Sequence, residues 1–166
     1  LCHWRVEAAR VDSLVSEKNA DLARKVERRN GVVGEYGQHF ALFTKCDAGT
    51  NRLSQVVRNL IPGKLYALTF VTIDYDEMLD SKRLMRRSSR GPANRLKAEI
   101  VGIPFEAVHS WEEVCGAGKK PKVRTTFRVF RASAPEETLV FSDGENESEA
   151  GSRTLVNYVS VNPYYN

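Results

Sequence analysis

The stretch that decides the fold is NLIPGKLYALTFVTIDY, residues 59–75. Pro62 and Gly63 are typical of a tight turn, because proline fixes one backbone dihedral and glycine accepts conformations that other residues avoid. The residues after the turn alternate with the period of two that is expected of a β-strand. One face carries Tyr66, Leu68, Phe70, Thr72 and Asp74. The other face is also largely apolar, which is typical of a central strand covered on both sides or forming the floor of a groove.

Six further segments show the same periodicity between residues that favour turns. They are residues 39–45, 52–60, 94–102, 123–132, 137–143 and 154–165. Their enrichment in Val, Thr, Phe and Tyr favours strands over short helices. Seven strands at this spacing predict an all-β chain folded as a sandwich or a barrel.

Only one segment is typical of a helix, namely SEKNADLARKVERRNG, residues 16–31. Ser16 is a candidate N-terminal cap and Gly31 a candidate stop. Its apolar face is narrow, so the alternative is a charged excursion between two strands. We therefore expect at most one short helix.

Size and composition indicate one globular domain, residues 1–166. Apolar residues make up 42% of the chain and charged residues 28%, which is typical of a soluble protein. No stretch approaches the roughly 18 to 20 apolar residues of a membrane span, so membrane insertion is not expected. The chain begins LCHW without a secretion signal. We expect it to be part of a longer multidomain protein.

Much of the positive excess, within a net charge of +4, lies in two segments, RKVERR (24–29), which contains an acidic residue, and KRLMRRSSR (82–90), which contains none. A run like the second attracts nucleic acid, anionic lipid or an acidic polysaccharide, or is simply a solvated loop. No aromatic residue is interleaved with it, so a surface for stacking bases is not indicated. We expect no nucleic-acid partner.

Cysteine and histidine give no sign of a structural metal. Cys2, Cys46 and Cys115 are odd in number, so at least one thiol is free or paired outside the chain. One disulfide is compatible with this count, and its pairing is open. The three histidines are far apart and no Cys-x-x-Cys motif occurs, so a zinc site is not predicted.

Four segments together resemble galactose-binding-like jelly-roll domains, which occur in plant cell-wall proteins and in bacterial carbohydrate-binding modules. The segments are GEYGQHFALFT (34–44), LSQVVRNLIPGKLYALTF (53–70), TTFRVFRASAPEETLVFSDG (125–144) and NYVSVNPYY (157–165). The resemblance covers about residues 32–163 and implies a jelly-roll β-sandwich of two antiparallel sheets. It also implies a noncatalytic accessory module that binds glycans. Such a module is secreted or located in the cell envelope, and it is attached to a polysaccharide-degrading enzyme or to another domain.

The chain departs from this family at its start. The family's opening Asn-Gly-x-Phe-Glu stretch is missing, and HWRVEAARVDSLV stands near its place. Many relatives build a calcium site partly from that opening strand. Asp74 and Asp76 are weak calcium candidates through their oxygen atoms, and no other cofactor is expected. Their alternative role is that of polar residues at the entry to a loop.

Motifs of enzyme chemistry are missing from the sequence. Gly-x-Ser-x-Gly, His-Glu-x-x-His and phosphate-binding loops do not occur. Two acidic pairs occur, at 74 and 76 and at 112 and 113, but glycoside hydrolysis needs carboxylates placed across a cleft. We therefore expect no intrinsic catalysis.

A glycan site needs an exposed aromatic ring for the apolar face of a sugar, with polar side chains for the hydroxyl groups. The candidate rings are Tyr75 at the end of the opening strand, Trp111 in the expected loop HSWEEV, and Tyr36 in the turn GEYG. Asp74 and Arg95 are candidate hydrogen-bonding residues. The alternative for Trp111 is that its valine neighbours draw the ring into the core.

Arg128 is a candidate for an acidic ligand. Strand periodicity places it on one face with Thr126 and Phe130. If that face is concave, the guanidinium would bind a carboxylate or sulfate through two hydrogen bonds. The alternative is an ion pair with Glu136, Glu137 or Asp143 inside the chain.

These observations favour a noncatalytic module that binds a neutral or acidic glycan. The competing hypothesis is a structural or protein-interaction sandwich that contacts the other domains of its parent protein. Exposed aromatic residues with polar neighbours would favour the first, and burial of the candidate rings would favour the second.

Overall fold

A computed structural model of the chain describes residues 3–18, 39–76, 96–114, 122–144 and 150–165. These residues form ten β-strands: β1 (Arg5–Glu7), β2 (Leu14–Lys18), β3 (His39–Thr44), β4 (Arg52–Val57), β5 (Leu65–Asp74), β6 (Lys97–Ile100), β7 (Phe105–Val114), β8 (Lys122–Arg131), β9 (Glu137–Ser142) and β10 (Arg153–Pro163). In this part of the chain no helix is long and apolar enough to span a membrane.

The strands form two antiparallel sheets that pack face to face. One sheet has the order β1-β4-β9-β6, and the other has the order β2-β3-β10-β5-β8-β7. A single interior, the inner core, lies between them and contains side chains from both sheets, including Leu53, Phe141, Leu68 and Phe70. This arrangement confirms the predicted all-β sandwich of two antiparallel sheets.

The opening stretch forms a turn and the central strand β5, as predicted. Gly63 has a φ of 82°, a left-handed conformation that glycine adopts at little cost, and its N–H donates to Ala132 O at 2.8 Å. The strand then pairs with β10 on one side and with β8 on the other. Burial of one phenylalanine such as Phe70 contributes roughly 2 to 3 kcal/mol before the cost of ordering it.

The outer face of β5 is also buried, as its two apolar faces predicted. A second cluster, the outer core, lies on the side of the six-stranded sheet that points away from the four-stranded sheet. It consists of Phe40, Leu42, Val71, Ile73, Val123 and Leu155. The six-stranded sheet is therefore a layer with apolar burial on both sides, at least around β3, β5 and β10.

Three strands were not predicted. Strand β1 has only three residues, and β2 ends in a run of charged and polar residues that begins at Ser16. Ser16 lies in β2, opposite Ala41 of β3, so its predicted role as a helix cap is wrong; residues 19–31 of the candidate helix lie outside the described residues. Residues 109–114 belong to β7 and not to a loop, because they pair with β8 throughout.

One extra residue interrupts the regular pairing of β10 with β5. Asn157 lies opposite Val71 and Ser160 opposite Thr69, so three steps along β10 match two steps along β5. Tyr158, inside this bulge, has a φ of 53°, and its N–H donates to the Asn157 side-chain oxygen at 2.7 Å. A bulge shifts the alternation of a strand by one residue. After it, even-numbered residues of β10 point away from the inner core.

A buried polar network joins the start of β4 to the end of β9. Asn51 is fully buried and Asp143 is 3% exposed. The Asn51 backbone N–H donates to one Asp143 carboxylate oxygen at 2.8 Å, and its side-chain amide donates to the other at 2.6 Å. The side-chain oxygen Oδ1 of Asn51 in turn accepts from Ser13 Oγ at 2.5 Å and from the Ala9 N–H at 2.9 Å. The network ties the β1–β2 connection to both sheets.

Cys46 is buried and its thiol is free. Cys2 and Cys115 lie outside the described residues. A disulfide between them is still one of the pairings with which the sequence is compatible.

Glu137 makes the turn before β9 sensitive to acid. Its carboxylate accepts hydrogen bonds from the Ser133 hydroxyl at 2.8 Å, the Ser133 N–H at 2.9 Å and the Ala134 N–H at 2.8 Å. Burial by itself raises the pKa of Glu137, but these hydrogen bonds outweigh it, so that the pKa is lowered. A carboxyl with a lowered pKa stabilises the folded state above its unfolded pKa, roughly 4.3, and this stabilisation is lost as the pH falls through the folded pKa.

We therefore expect Glu137→Gln to weaken the dependence of stability on acid pH. Urea unfolding at about pH 6 and about pH 3 should show a smaller loss for the variant than for the wild type. Glu136→Gln is the matched control, because Glu136 is exposed and pairs with Arg58 on the surface. An equal slope for wild type and Glu137→Gln would contradict the prediction.

Candidate functional site

The predicted ligand residues that the structure describes lie in three different places. Tyr36 and Arg95 lie outside the described residues. Tyr75 and Asp74 are at the end of β5, Arg128 is inside the sandwich, and Trp111 is in β7. The backbone of Trp111 lies opposite Thr125 of β8.

Tyr75 belongs to a polar cluster at the ends of three strands. Its hydroxyl donates to Glu17 Oε1 at 3.1 Å. The Arg153 guanidinium carbon lies 4.8 Å from its ring centroid, which is cation–π geometry. Burial and the hydrogen bond to Glu17 raise the pKa of the Tyr75 hydroxyl. The ring is half-buried against the outer core, so one face and the hydroxyl are already in contact with protein.

The two calcium candidates have different surroundings. Asp74 is only 2% exposed, on the strand position opposite Thr154. Asp76 Oδ1 accepts from Arg153 Nε at 2.8 Å and from Arg153 Nη2 at 2.6 Å, while Oδ2 accepts the Arg153 N–H at 3.1 Å. Within the described ranges, no group of three acidic, histidine or cysteine side chains is placed to hold a metal. A calcium site on these residues stays a prediction.

Arg128 points into the space between the sheets, on the same face as Thr126. Its Nη1 donates to Ala98 O of β6 at 2.6 Å. Its guanidinium carbon lies 4.9 Å from the centroid of Phe105 and 5.8 Å from that of Phe70. Burial lowers the pKa of Arg128. The side chain bridges the two sheets where β6 and β7 are their edge strands.

The expected ion pair of Arg128 with an acidic residue of β9 or its turns is wrong. The three candidate partners are engaged elsewhere: Glu136 with Arg58, Glu137 with Ser133 and Ala134, and Asp143 with Asn51.

A surface that the sequence did not single out lies on the outer side of β7 and β8. Phe127 is half-buried, and its ring contacts Tyr164 edge-on, with centroids 5.8 Å apart, and the exposed His109 at 6.3 Å. Tyr164 is held there because its N–H donates to Leu65 O at 2.9 Å. We call the surface formed by these three side chains and by their polar neighbours Thr69, Ser160 and Asn162 the aromatic face.

Polar side chains continue the aromatic face across the sheet. Pairing places Ser160, Thr69, Phe127 and His109 directly opposite one another on β10, β5, β8 and β7. Asn162 is exposed and its side-chain amide lies 3.4 Å from Ser160 Oγ. Hydroxyl and amide groups therefore stand at one end of the row and aromatic rings at the other.

The bulge in β10 creates this combination. Without the extra residue, Val159 and Val161 would take the outer positions. With it, these valines pack on the inner core, whereas Ser160 and Asn162 are exposed. The alternation of apolar and polar residues in NYVSVNPYY gives no indication of the bulge. In the sequence, Phe127 has the pattern of an ordinary core residue in an alternating strand. The one available signal was the pair of tyrosines that follows Pro163.

Comparisons with known proteins complete the description. No family model matches the chain, and a search of curated proteins found no significant match. Among solved structures, the module TmCBM61 in complex with β-1,4-galactotriose is similar with a TM-score of 0.47 and 14% identity, over 98% of this chain and 90% of that one. The enzymatically active domain of tailspike protein 4 of bacteriophage CBA120 has a TM-score of 0.48 and 10% identity, over 98% of this chain and 20% of that one. At these values we carry neither a ligand nor an activity over to this chain.

Proposed function

We propose that the protein is a noncatalytic carbohydrate-binding module and that its glycan lies along the aromatic face. The observation that carries this proposal is the row of Ser160, Thr69, Phe127 and His109 across four strands, with Tyr164 against Phe127. A pyranose ring presents one apolar face and a rim of hydroxyl groups. Rings and hydrogen-bonding groups side by side on a flat sheet match both features.

The surface is rigid in the way that a binding site requires. Three of its members, Thr69, Phe127 and His109, are on paired strands whose backbone hydrogen bonds fix their spacing. A preformed surface loses little conformational entropy on binding. The contact area of two or three rings predicts a modest affinity, and a module of this kind acts by raising the local concentration of an attached domain at its polysaccharide.

The absence of intrinsic catalysis is part of the proposal. Hydrolysis of a glycosidic bond requires two carboxylates that face each other across the sugar. Two of the described carboxylates are engaged in ion pairs, Asp76 with Arg153 and Glu106 with Arg131. The competing proposal, a structural or protein-interaction module, would use the aromatic face to contact another protein domain.

Retention on polysaccharides tests the glycan proposal. Affinity electrophoresis or calorimetry with a panel of neutral and acidic polysaccharides should find at least one that binds the folded wild type. Tyr164→Ala and His109→Ala should each weaken that binding about threefold to tenfold, since one aromatic contact contributes roughly 0.5 to 1.5 kcal/mol. The double variant should bind more weakly than either single variant.

Val11→Ala is the matched control, because Val11 is 83% exposed in the β1–β2 connection. It removes an exposed apolar side chain away from the aromatic face and should leave binding unchanged. If no polysaccharide retains the folded wild type, the structural alternative is favoured. Unchanged binding by the His109 and Tyr164 double variant would place the glycan elsewhere.

A further inference from the structure

Arg128 carries a charge that the described residues do not balance. No described carboxylate pairs with its guanidinium, whose hydrogen bond to Ala98 O is to a neutral acceptor. Among the acidic side chains that the structure describes on the flanking strands, Glu106 is paired with Arg131 at 2.9 Å and Glu99 with Lys97 at 3.2 Å. Arg128 is half-buried, and a charge partly removed from water is stabilised by an opposite charge or by several hydrogen bonds beside it.

The surroundings of Arg128 have further unused polar groups. Nε of Arg128 and the hydroxyl oxygens of Thr126 and Thr72 are enclosed and have no hydrogen-bond partner within the described ranges. Thr126 is 2% exposed and Thr72 is fully buried. Buried polar atoms without a partner are uncommon in folded proteins. These three groups lie on one face of β5 and β8. They form a polar environment that the packing of an apolar core does not require.

This environment lies beside β7, the edge strand of the six-stranded sheet. Val108 and Ser110 of β7 lie opposite Arg128 and Thr126. Residues directly opposite on paired strands point to the same side of the sheet. Val108 is nevertheless 56% exposed and Ser110 is exposed, so the four-stranded sheet does not cover this part of β7. We call the space bordered by Arg128, Thr126, Val108, Ser110, Ala98 and Phe105 the lateral cleft.

We propose that the lateral cleft binds an oxyanion, a carboxylate or sulfate group, with Arg128 as its cationic anchor. The planar guanidinium presents paired N–H donors that match two oxygens of such a group. The ring of Phe105 beside it limits the access of water, which strengthens the attraction between the charges. Ser110, at the open side, adds a hydroxyl within the same cleft.

The lateral cleft and the aromatic face are separate sites. Arg128 and Phe127 are consecutive on β8 and point to opposite sides of the sheet, so a variant of one leaves the other in place. The proposal therefore does not depend on glycan binding at the aromatic face. The oxyanion has two sources, a free inorganic anion or the acidic group of a saccharide, and the experiment separates them.

The test is an NMR titration of ¹⁵N-labelled protein with sodium sulfate and with sodium galacturonate, at constant ionic strength maintained with sodium chloride. Binding should give saturable shifts of the Arg128 Nε–Hε signal and of the Val108 and Ser110 amides. Galactose, which is neutral, should not move these signals. Saturation by both anions identifies a site for free oxyanions, whereas saturation by galacturonate alone identifies a saccharide carboxylate.

Two variants decide whether Arg128 is the anchor. Arg128→Gln should weaken binding by at least about tenfold, while Arg131→Gln, on the same strand but exposed and paired with Glu106, should bind as the wild type does. Val108→Glu introduces a competing carboxylate at an exposed position and should also abolish binding, even if Arg128→Gln fails to fold. The proposal is overturned if neither anion gives saturable shifts, or if folded Arg128→Gln or Val108→Glu binds as tightly as the wild type.

Discussion

Replacing Asp143 by alanine should lower the free energy of unfolding by about 3 to 5 kcal/mol, because hydrogen bonds to a buried charged group contribute roughly 1.5 to 3 kcal/mol each. The carboxylate accepts two such bonds from Asn51, at 2.8 and 2.6 Å. Without it, one backbone and one side-chain donor of Asn51 stay buried without an acceptor. Water does not easily replace the carboxylate, since Asn51 itself is fully buried.

The effect should extend to the packing of the N-terminal segment. Asn51 holds Ser13 and the Ala9 N–H through its side-chain oxygen Oδ1, and a displaced Asn51 releases both. Chemical denaturation with far-UV circular dichroism measures the loss of stability. Asp143→Asn is an informative second variant: it keeps one acceptor for the Asn51 N–H but sets an amide against the Asn51 side-chain amide, so its cost should be intermediate.

Glu136→Ala is the control for the removal of a carboxylate as such. Its ion pair with Arg58 lies on the surface, with side chains 58% and 65% exposed. Exposed pairs contribute only about 0 to 1 kcal/mol. If Asp143→Ala were as mild as this control, the Asn51 network would not be a determinant of stability.

Replacing Phe141 by alanine should cost about 3 to 5 kcal/mol, the usual range for a large aromatic residue in a core. Phe141 is fully buried in β9 and contacts Phe70 of the opposite sheet edge-on, with ring centroids 5.0 Å apart. It also contacts Trp4, at 6.0 Å. The ring therefore joins the two sheets and the N-terminal segment, and the cavity left by alanine would adjoin all three.

Phe141→Leu is the matched control, since it keeps most of the volume and should cost less than about 1.5 kcal/mol. Denaturant unfolding gives both values. In a Trp111→Phe background, which leaves Trp4 as the single tryptophan of the chain, fluorescence reports whether the N-terminal segment stays on the four-stranded sheet. A loss below about 1 kcal/mol for Phe141→Ala would mean that the core collapses into the space and that the sheets are less rigid than their packing indicates.

Sequence patterns predicted the strands with apolar faces and failed on the strands without them. β5 and β9 carry apolar residues on both faces, and their nearly continuous burial follows from this pattern. β7 lies at the edge of its sheet and mixes His109, Ser110 and three glutamates with apolar residues, so its alternation is weak. β2 ends in a charged run that has the composition of a helix. In both cases pairing with a neighbouring strand, which leaves no local mark, decides the structure.

The site was harder to predict than the fold because two of its determinants are not local. The bulge in β10 changes which residues of NYVSVNP point outward, and only the register against β5 reveals it. Arg128 meets a backbone carbonyl of β6, and a carbonyl has no residue type by which sequence reasoning can find it. For that reason only acidic residues, which lie in β9 and its turns, were predicted as partners of Arg128.

The order of the six-stranded sheet has a consequence for the folding of the chain during synthesis. β10 is the last of the ten strands in sequence, yet it lies between β3 and β5. Until it has left the ribosome, β3 and β5 each present an open edge, and the pairing of β10 with β3 joins residues more than a hundred positions apart, for example Arg153 with Thr44. Contacts of such sequence separation slow folding and prolong the exposure of unpaired edges. The sheet is thus completed only after β10 has been translated, and we expect the unpaired edges of β3 and β5 to favour aggregation until then.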